Sequence, residues 1–402
     1  MKRYIHIFSF MVPTALIMAV LFTLDIFFET NDDRYITEIL SGIITLKPDA
    51  HTVYINYLLS FVLACLYSIT KAIPWYGGLL IVIYWLSYVA IFETTLSYAR
   101  KIKDAVVFTI LIVVFFVTHL HLIGQIQYTS VAAFAAITGF FCLLVYQNKK
   151  IGMILFVLFE TFAFLLRSQS MLMILPLGMA MVAGIILGER KLSFRDRIVT
   201  IIKICITLIT IVIAGYMGNA IGYSKKEWKE YHRFNQARTE VFDYYGKPLY
   251  EEVENILKKY GVTREEYNAL CHYTILGENI SSACFEEIAD YASTQAVRLT
   301  PKEVFRKMFD IMFRDNYWKI NCVIVLMWIF TFVLSVFSSN WRNLLTMLFL
   351  LLARTVVWMY LIWGERMPLR VTIPLMAAET IFLFILVLSD YFASEAPELS
   401  FA

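Results

Sequence analysis

VYINYLLSFVLACLYSIT, residues 53–70, decides how the chain runs. The segment is apolar and long enough to cross a bilayer, whose hydrocarbon core is about 30 Å thick. Further apolar runs lie at 7–28, 74–98, 104–123, 129–147, 150–167, 171–188, 199–220, 317–338, 343–363 and 371–389. If 53–70 crosses as well, every later loop changes side. The excess of Lys and Arg on cytoplasmic loops discriminates between the two topologies. With 53–70 on the membrane surface, the short inner loops hold twelve basic residues: Lys2, Arg3, Arg100, Lys101, Lys103, Lys149, Lys150, Arg190, Lys191, Arg195, Arg197 and Arg342. The short outer loops then hold six: Arg34, Lys47, Lys71, Arg167, Arg366 and Arg370. Letting 53–70 cross inverts the two counts. The sequence therefore predicts ten spans, both termini in the cytoplasm, and 53–70 as an interfacial or re-entrant helix. His51, Thr52 and Lys71 flank it and suit a helix held near the headgroups.

Composition agrees with an all-α integral membrane protein. Of 402 residues, 59% are hydrophobic and 17% charged, and the mean hydropathy is +0.67. A soluble domain carries about 25% charged residues. The net charge of +3 is too small to argue for nucleic acid. The N-terminal run is too long for a signal peptide and lacks a small-residue cleavage site, so 7–28 is expected to be a retained first span. Six cysteines show no metal-ligand spacing. Four of them lie in apolar runs; Cys271 and Cys284 fall in a polar region and could bond there in an oxidising space.

That polar region, 223–316, separates an N-terminal membrane module, 1–222, from a C-terminal one, 317–402. It predicts a small extracytoplasmic α-helical domain. Val253, Ile256, Leu257 and Tyr260 have helical spacing. Gly261 reads as a helix stop, and Thr263 as the N-cap of the next helix, with Glu266 completing a capping box.

The first outer loop, 29–73, begins ETNDDRYITEILSGIITLKPDAHTVYINY. Asn31 suits an N-cap. Ile36, Ile39, Leu40, Ile43 and Ile44 form one stripe, so a juxtamembrane helix is expected over 32–45. Asp32 and Asp33 fall on its first turn, where the helix dipole favours carboxylates. An acidic pair at a helix start is commonplace. Here it also stands at the membrane boundary, and Lys47, Asp49 and His51 end the same loop. A carboxylate so placed can act as a general base on a lipid-borne substrate. The spacing leaves Asp32 and Asp33 nearly equivalent, with Asp32 slightly favoured.

Asn31-Asp32-Asp33, Pro48-Asp49-Ala50-His51 and Pro74-Trp75-Tyr76 carry a resemblance. With the alternating spans, they make residues 1–220 similar to GT-C class integral membrane glycosyltransferases, and to membrane proteins of Gram-positive bacteria with the same loop. The resemblance implies a catalytic aspartate in the first outer loop, Asp32 or Asp33. It implies a polyprenyl-phosphate-linked sugar as donor and a saccharide or cell-envelope acceptor on the extracytoplasmic side of the plasma membrane.

Other ionisable groups approach the outer face. His119 and His121 are two residues apart and point to different helix faces, so a shared metal is not expected. Gln125 and Gln127 occupy the second outer loop, where the class often has another acid; no metal or other cofactor is indicated. Glu160 lies within a span, two turns before Arg167, and should face the bundle interior with a partner. Glu365, Arg366 and Arg370 follow the ninth span, with Arg354 inside it. Arginine forks bind phosphate, so Arg366 and Arg370, with Arg167, are expected to hold the lipid phosphate. Anchoring to anionic headgroups is the plainer reading. Two other functions stay open: a cell-surface polysaccharide polymerase or ligase, which would not need the acidic pair, and a non-enzymatic transporter of lipid-linked saccharides, although no internal repeat is visible.

Overall fold

The computed structural model describes residues 2–146, 148–189, 193–272, 274, 279–296, 299–314 and 318–393. Arg190, Lys191 and the expected domain boundary at 316/317 lie outside them. The described chain is almost entirely helical. The helices are α1 Lys2–Thr23, α2 Asn31–Ser41, α3 Tyr57–Ile69, α4 Trp75–Leu96, α5 Ile102–Thr118, α6 His121–Gly124, α7 Tyr128–Val145, α8 Lys149–Gly188 and α9 Phe194–Gly222. Then follow α10 Lys226–Thr239, a π-helix Glu240–Tyr245, α11 Tyr250–Lys259, α12 Arg264–Cys271, α13 Ser282–Gln295, α14 Pro301–Arg314, α15 Trp318–Phe337, α16 Trp341–Trp363 and α17 Leu369–Ala393. Among the described residues, eight helices are long and apolar enough to cross a membrane: α1, α4, α7, α8, α9, α15, α16 and α17. The protein is a multi-pass membrane protein.

Three elements refine the expected spans. Helix α3 has 13 residues, about 20 Å at 1.5 Å per residue, too short to cross. Helix α5 has 17 residues, ending at Thr118 rather than at 123. Helix α8 has 40 residues, about 60 Å if straight, twice the bilayer core. It is not straight. Arg167 leaves helical geometry at φ −158°, ψ 98°. A Cβ on Gly152 would meet the Cys142 carbonyl of α7, and one on Gly178 would meet Phe140 of the same helix. Arg167, between them in sequence, lies over Tyr128 at the start of α7. Both ends of α8 also return to Arg342: Glu189 pairs with it at 3.0 Å, and Lys149 is within reach of its charge. The chain therefore turns back at Arg167, and 149–166 and 168–188 form a helical hairpin.

Helix α7 is the axis of the membrane unit. All 18 of its residues are buried, and it packs against α4, α8 and α17. Ala132, Ala133, Ala135, Ala136 and Gly139 keep its surface low, so neighbouring backbones approach closely.

The chain divides into two compact units. The membrane unit comprises 1–219, 308–359 and 367–402. The polar unit comprises 220–307 and also takes 360–366 from the end of α16, which corrects the single insertion expected over 223–316. The physical reason is charge. Glu365 pairs with Lys307 at 2.7 Å, while Arg366 lies 3.9 Å over the Tyr244 ring and 3.8 Å from Asp243. The polar unit has its own core, including Val253, Leu257, Tyr267, Phe285 and Ile288. Gly261 ends its helix at φ +70°, and Thr263 with Glu266 forms the expected capping box. Cys271 and Cys284 are free thiols, and Cys284 is buried.

Glycines set the close contacts in the membrane unit. A Cβ on Gly184 would lie 2.6 Å from the Cα of Thr346, which cannot yield without moving α16. Gly78, in contrast, has open space. Gly184→Ala should lower unfolding stability in detergent by about 1–3 kcal/mol. Gly78→Ala should be neutral or stabilise by about 0.5–1 kcal/mol. Equal unfolding temperatures for Gly184→Ala and wild type would refute the close approach.

Candidate functional site

The site begins where α1 stops. The first span ends at Thr23, not at 28, because Phe27 and Phe28 pair in parallel with Gln125 and Ile126 as a two-residue bridge. Glu29 N–H extends it by donating to the Ile126 carbonyl at 3.2 Å. Gln125 thus joins the first outer loop to the second.

Helix α2 follows. Its N-cap is Thr30 rather than Asn31. The helix ends at Ser41, short of the expected 45, because Gly42 turns left-handed at φ +77° and its N–H closes on Glu38 and Ile39. Asp33, Ile36 and Leu40 therefore make the buried face, while Ile43 and Ile44 are exposed.

Asp33 is fully buried. Its Oδ1 accepts from the Tyr76 hydroxyl at 2.7 Å and from the Tyr128 N–H at 3.2 Å. Its Oδ2 accepts from the Thr30 hydroxyl at 3.0 Å. Tyr76 in turn donates its N–H to the Tyr67 hydroxyl at 3.2 Å. One carboxyl so ties α2, α4 and α7, and through Tyr76 reaches α3. Burial pushes the Asp33 carboxyl up to about 6, against the pull of these hydrogen bonds. Asp32, one step around the helix, is only half-buried, so it is the more accessible carboxylate of the pair.

Tyr128 is where the charges converge. Asp32, Asp33, Arg167 and Arg370 all act electrostatically on its hydroxyl. The Arg167 guanidinium stands 5.5 Å above its ring. Arg370 anchors by accepting the Ser130 hydroxyl on its carbonyl at 3.3 Å. Burial raises Glu29 above the usual carboxylate range, and the charge and backbone N–H of Arg370 hold it back. Glu29 and Tyr128 escaped the sequence reading, since neither belongs to a recognisable motif.

Other candidates stand elsewhere. Asp49 accepts from both the backbone N–H and the ring Nδ1 of His51, at 2.8 and 2.6 Å. Burial pushes Asp49 up, but these bonds win and hold it below the usual carboxylate range. Glu365 and Arg366 belong to the polar unit, where Lys307, Asp243 and Tyr244 engage them, and Arg370 belongs to the membrane unit. Glu160 is buried against Gly139, and among the described residues neither of its oxygens has a hydrogen-bond partner, so the partner expected for it is not among them. His119 bonds the Phe115 carbonyl through Nδ1 at 2.9 Å; the His121 side chain lies outside the described residues. Arg354 pairs with Glu379 of α17 at 2.8 Å, a partner hidden in an apolar run. Among the described residues, no group of three or more His, Cys, Asp or Glu could hold a metal ion. In comparisons with family models, curated proteins and solved structures, nothing matches this chain.

The raised Asp33 carboxyl has a consequence for stability. A carboxyl that holds its proton more tightly in the fold than at its ordinary 3.8 stabilises the fold fully below about pH 4. That contribution is lost as pH rises through about 6. Holding the carboxyl at about 6 instead of 3.8 corresponds to about 3 kcal/mol in full. Asp33→Asn keeps an Oδ1 acceptor for Tyr76 and Tyr128 and removes the titration. Between pH 4 and 7, wild type should therefore lose about 2.4 kcal/mol relative to Asp33→Asn. Unfolding both proteins in detergent at the two pH values measures this, and parallel curves would refute it.

Proposed function

We propose that the protein is a membrane glycosyltransferase of GT-C type, moving a sugar from a polyprenyl-phosphate donor to an extracytoplasmic acceptor. The convergence of Asp32, Asp33, Arg167 and Arg370 on Tyr128 carries this reading. These charges come from the first outer loop, from the α8 hairpin turn and from the start of α17, all at one end of α7. That is a basic-and-acidic arrangement suited to a phosphate leaving group and a hydroxyl nucleophile.

In this reaction Asp32 takes the acceptor hydroxyl proton as the oxygen attacks the anomeric carbon. The bond from that carbon to the lipid phosphate oxygen breaks. Arg370 receives the phosphate and stabilises its charge through the guanidinium. The phosphate leaves already ionised, so no general acid is required. Asp33 touches no substrate; it holds the first turn of α2 and thereby sets the position of Asp32.

On this reading both halves of α8 and the 17-residue α5 cross as well, which makes ten crossings. The charge bias of the loops then puts both termini in the cytoplasm of a cell whose plasma membrane holds the protein, with Tyr128 and the polar unit outside.

Two measurements test this. Protein in lipid nanodiscs is given a radiolabelled polyprenyl-phosphate sugar and a saccharide-rich envelope fraction. Asp32→Asn should transfer label at least about 100-fold more slowly, the scale of lost general-base help. Equal rates would remove Asp32 from the chemistry, and transfer absent even in wild type would remove the reaction. For topology, a variant retaining only Cys271 should react with an impermeant maleimide on intact cells. A lone cysteine at Lys150 should react only after permeabilisation. The reverse pattern would invert the orientation.

A further inference from the structure

A cavity of about 140 Å³ opens beside the charged cluster, with Arg167 in its wall. It has room for roughly five waters, small against a drug-sized pocket but sufficient for an ionised group with part of a sugar ring. Three pieces of chain build it: the loop before α3, the α8 turn and the end of α9. Asn56 rivets them together. Its N–H donates to the Leu165 carbonyl at 2.8 Å, and its side-chain amide donates to the Gly215 carbonyl at 2.9 Å. Asn219 accepts the Tyr57 N–H on its Oδ1 at 2.8 Å, which leaves its amide NH2 as a donor. Ser168, Gln169 and Tyr216 complete the polar wall.

The charge of this lining is one-sided. It holds one arginine and no acidic residue. Among the described residues, the Arg167 guanidinium makes no hydrogen bond and no ion pair; its recorded contact is the Tyr128 ring, 5.5 Å away. Five N–H donors on a half-buried cation call for an oxyanion. The amide and hydroxyl groups beside it suit the hydroxyls of a sugar, and the exposed Tyr216 offers an apolar ring face. The two arginines that act on Tyr128 thus have different surroundings: Arg370 beside the Glu29 carboxyl, and Arg167 in a cavity without acids.

We infer that the Arg167 cavity binds the acceptor, and that the acceptor is an anionic saccharide, a hydroxyl-rich ring bearing a carboxylate or a phosphate. The inference rests on the transferase reading for the word acceptor, but the binding it asserts is independent of transfer. Arg370 then serves the donor phosphate and Arg167 the acceptor anion.

Binding is measured on the full chain in nanodiscs of zwitterionic lipid, by ligand-observed NMR with glucose, glucuronate, glucose 6-phosphate and inorganic phosphate. Glucuronate or glucose 6-phosphate should bind at least tenfold more tightly than glucose. Arg167→Gln should abolish that preference, and Arg370→Gln should retain it. Gln169→Glu alters an exposed residue of the wall; it should weaken the charged sugars tenfold by repulsion while leaving the unfolding temperature unchanged, so the test survives a misfolded Arg167→Gln. A preference that is absent, or that persists in both Arg167→Gln and Gln169→Glu, overturns the inference. Inorganic phosphate binding as tightly as the sugar phosphate, or loss of sugar binding in nanodiscs of anionic lipid, also overturns it, by assigning the cavity to phosphate or to a lipid headgroup. Arg167-dependent binding without any sugar transfer would defeat the transferase reading and leave the anion cavity standing. Transfer without such discrimination would do the reverse.

Discussion

Burying a carboxyl at the end of a helical bundle is unfavourable unless its lone pairs are taken up. The Asp33 carboxyl is buried, and the placement of the elements around it follows from satisfying it. It takes a hydroxyl from α4, a backbone N–H from α7 and a hydroxyl from the N-cap of its own helix. Each donor comes from a different part of the fold, so α2 cannot lift off without leaving an unpaired charge. That constraint presses α2 against the bundle. It also holds the first outer loop where its two-residue bridge meets Gln125 and Ile126.

The second constraint is the crowding around α7. A helix buried on every side must be met by close neighbours, and its alanines and glycine permit that. Gly152 and Gly178 bring the two limbs of the α8 hairpin close to it, and the turn between them brings Arg167 to the first residue of α7. Helix α17 begins at the same end and delivers Arg370. The convergence of two acids and two arginines on Tyr128 is thus a result of helix packing: the charges sit at helix starts and turns, and these all lie at one end of one central helix.

Interior charges elsewhere are compensated differently. Arg354 with Glu379, Arg342 with Glu189, and Asp390 with Ser335, Ser338 and Asn340 are closed local arrangements. Such partners offset the cost of an ion in a low-dielectric bundle, and Glu160 has none among the described residues. Against that pattern Arg167 stands out as a half-buried cation whose recorded contact is an aromatic face. Its neighbours offer donors and rings, and no carboxylate lines the cavity it enters.

Much of this was legible in the residues. Runs of about 18 apolar residues must cross or hide from water, so the membrane class and most helices follow from composition and period. Thr263 with Glu266 marked a capping box, and Gly261 a stop, because caps and left-handed turns are local chemistry. Asp32, Asp33, Arg167 and Arg370 could be singled out because charges at membrane boundaries are costly to leave without a role. What the residues did not determine was which of those charges meet. Asp32 and Asp33 are neighbours with the same local chemistry, and only the docking of α2 buries one and leaves the other half-exposed. Arg366 and Arg370 are four residues apart, yet the end of α16 joins the polar unit through Asp243 and Tyr244 while Arg370 stays with α17. Glu29, Tyr128 and the Arg167 cavity carry no local signal at all. They exist as a site because segments far apart in sequence pack around one helix, and long-range packing leaves no periodicity in the chain to be read.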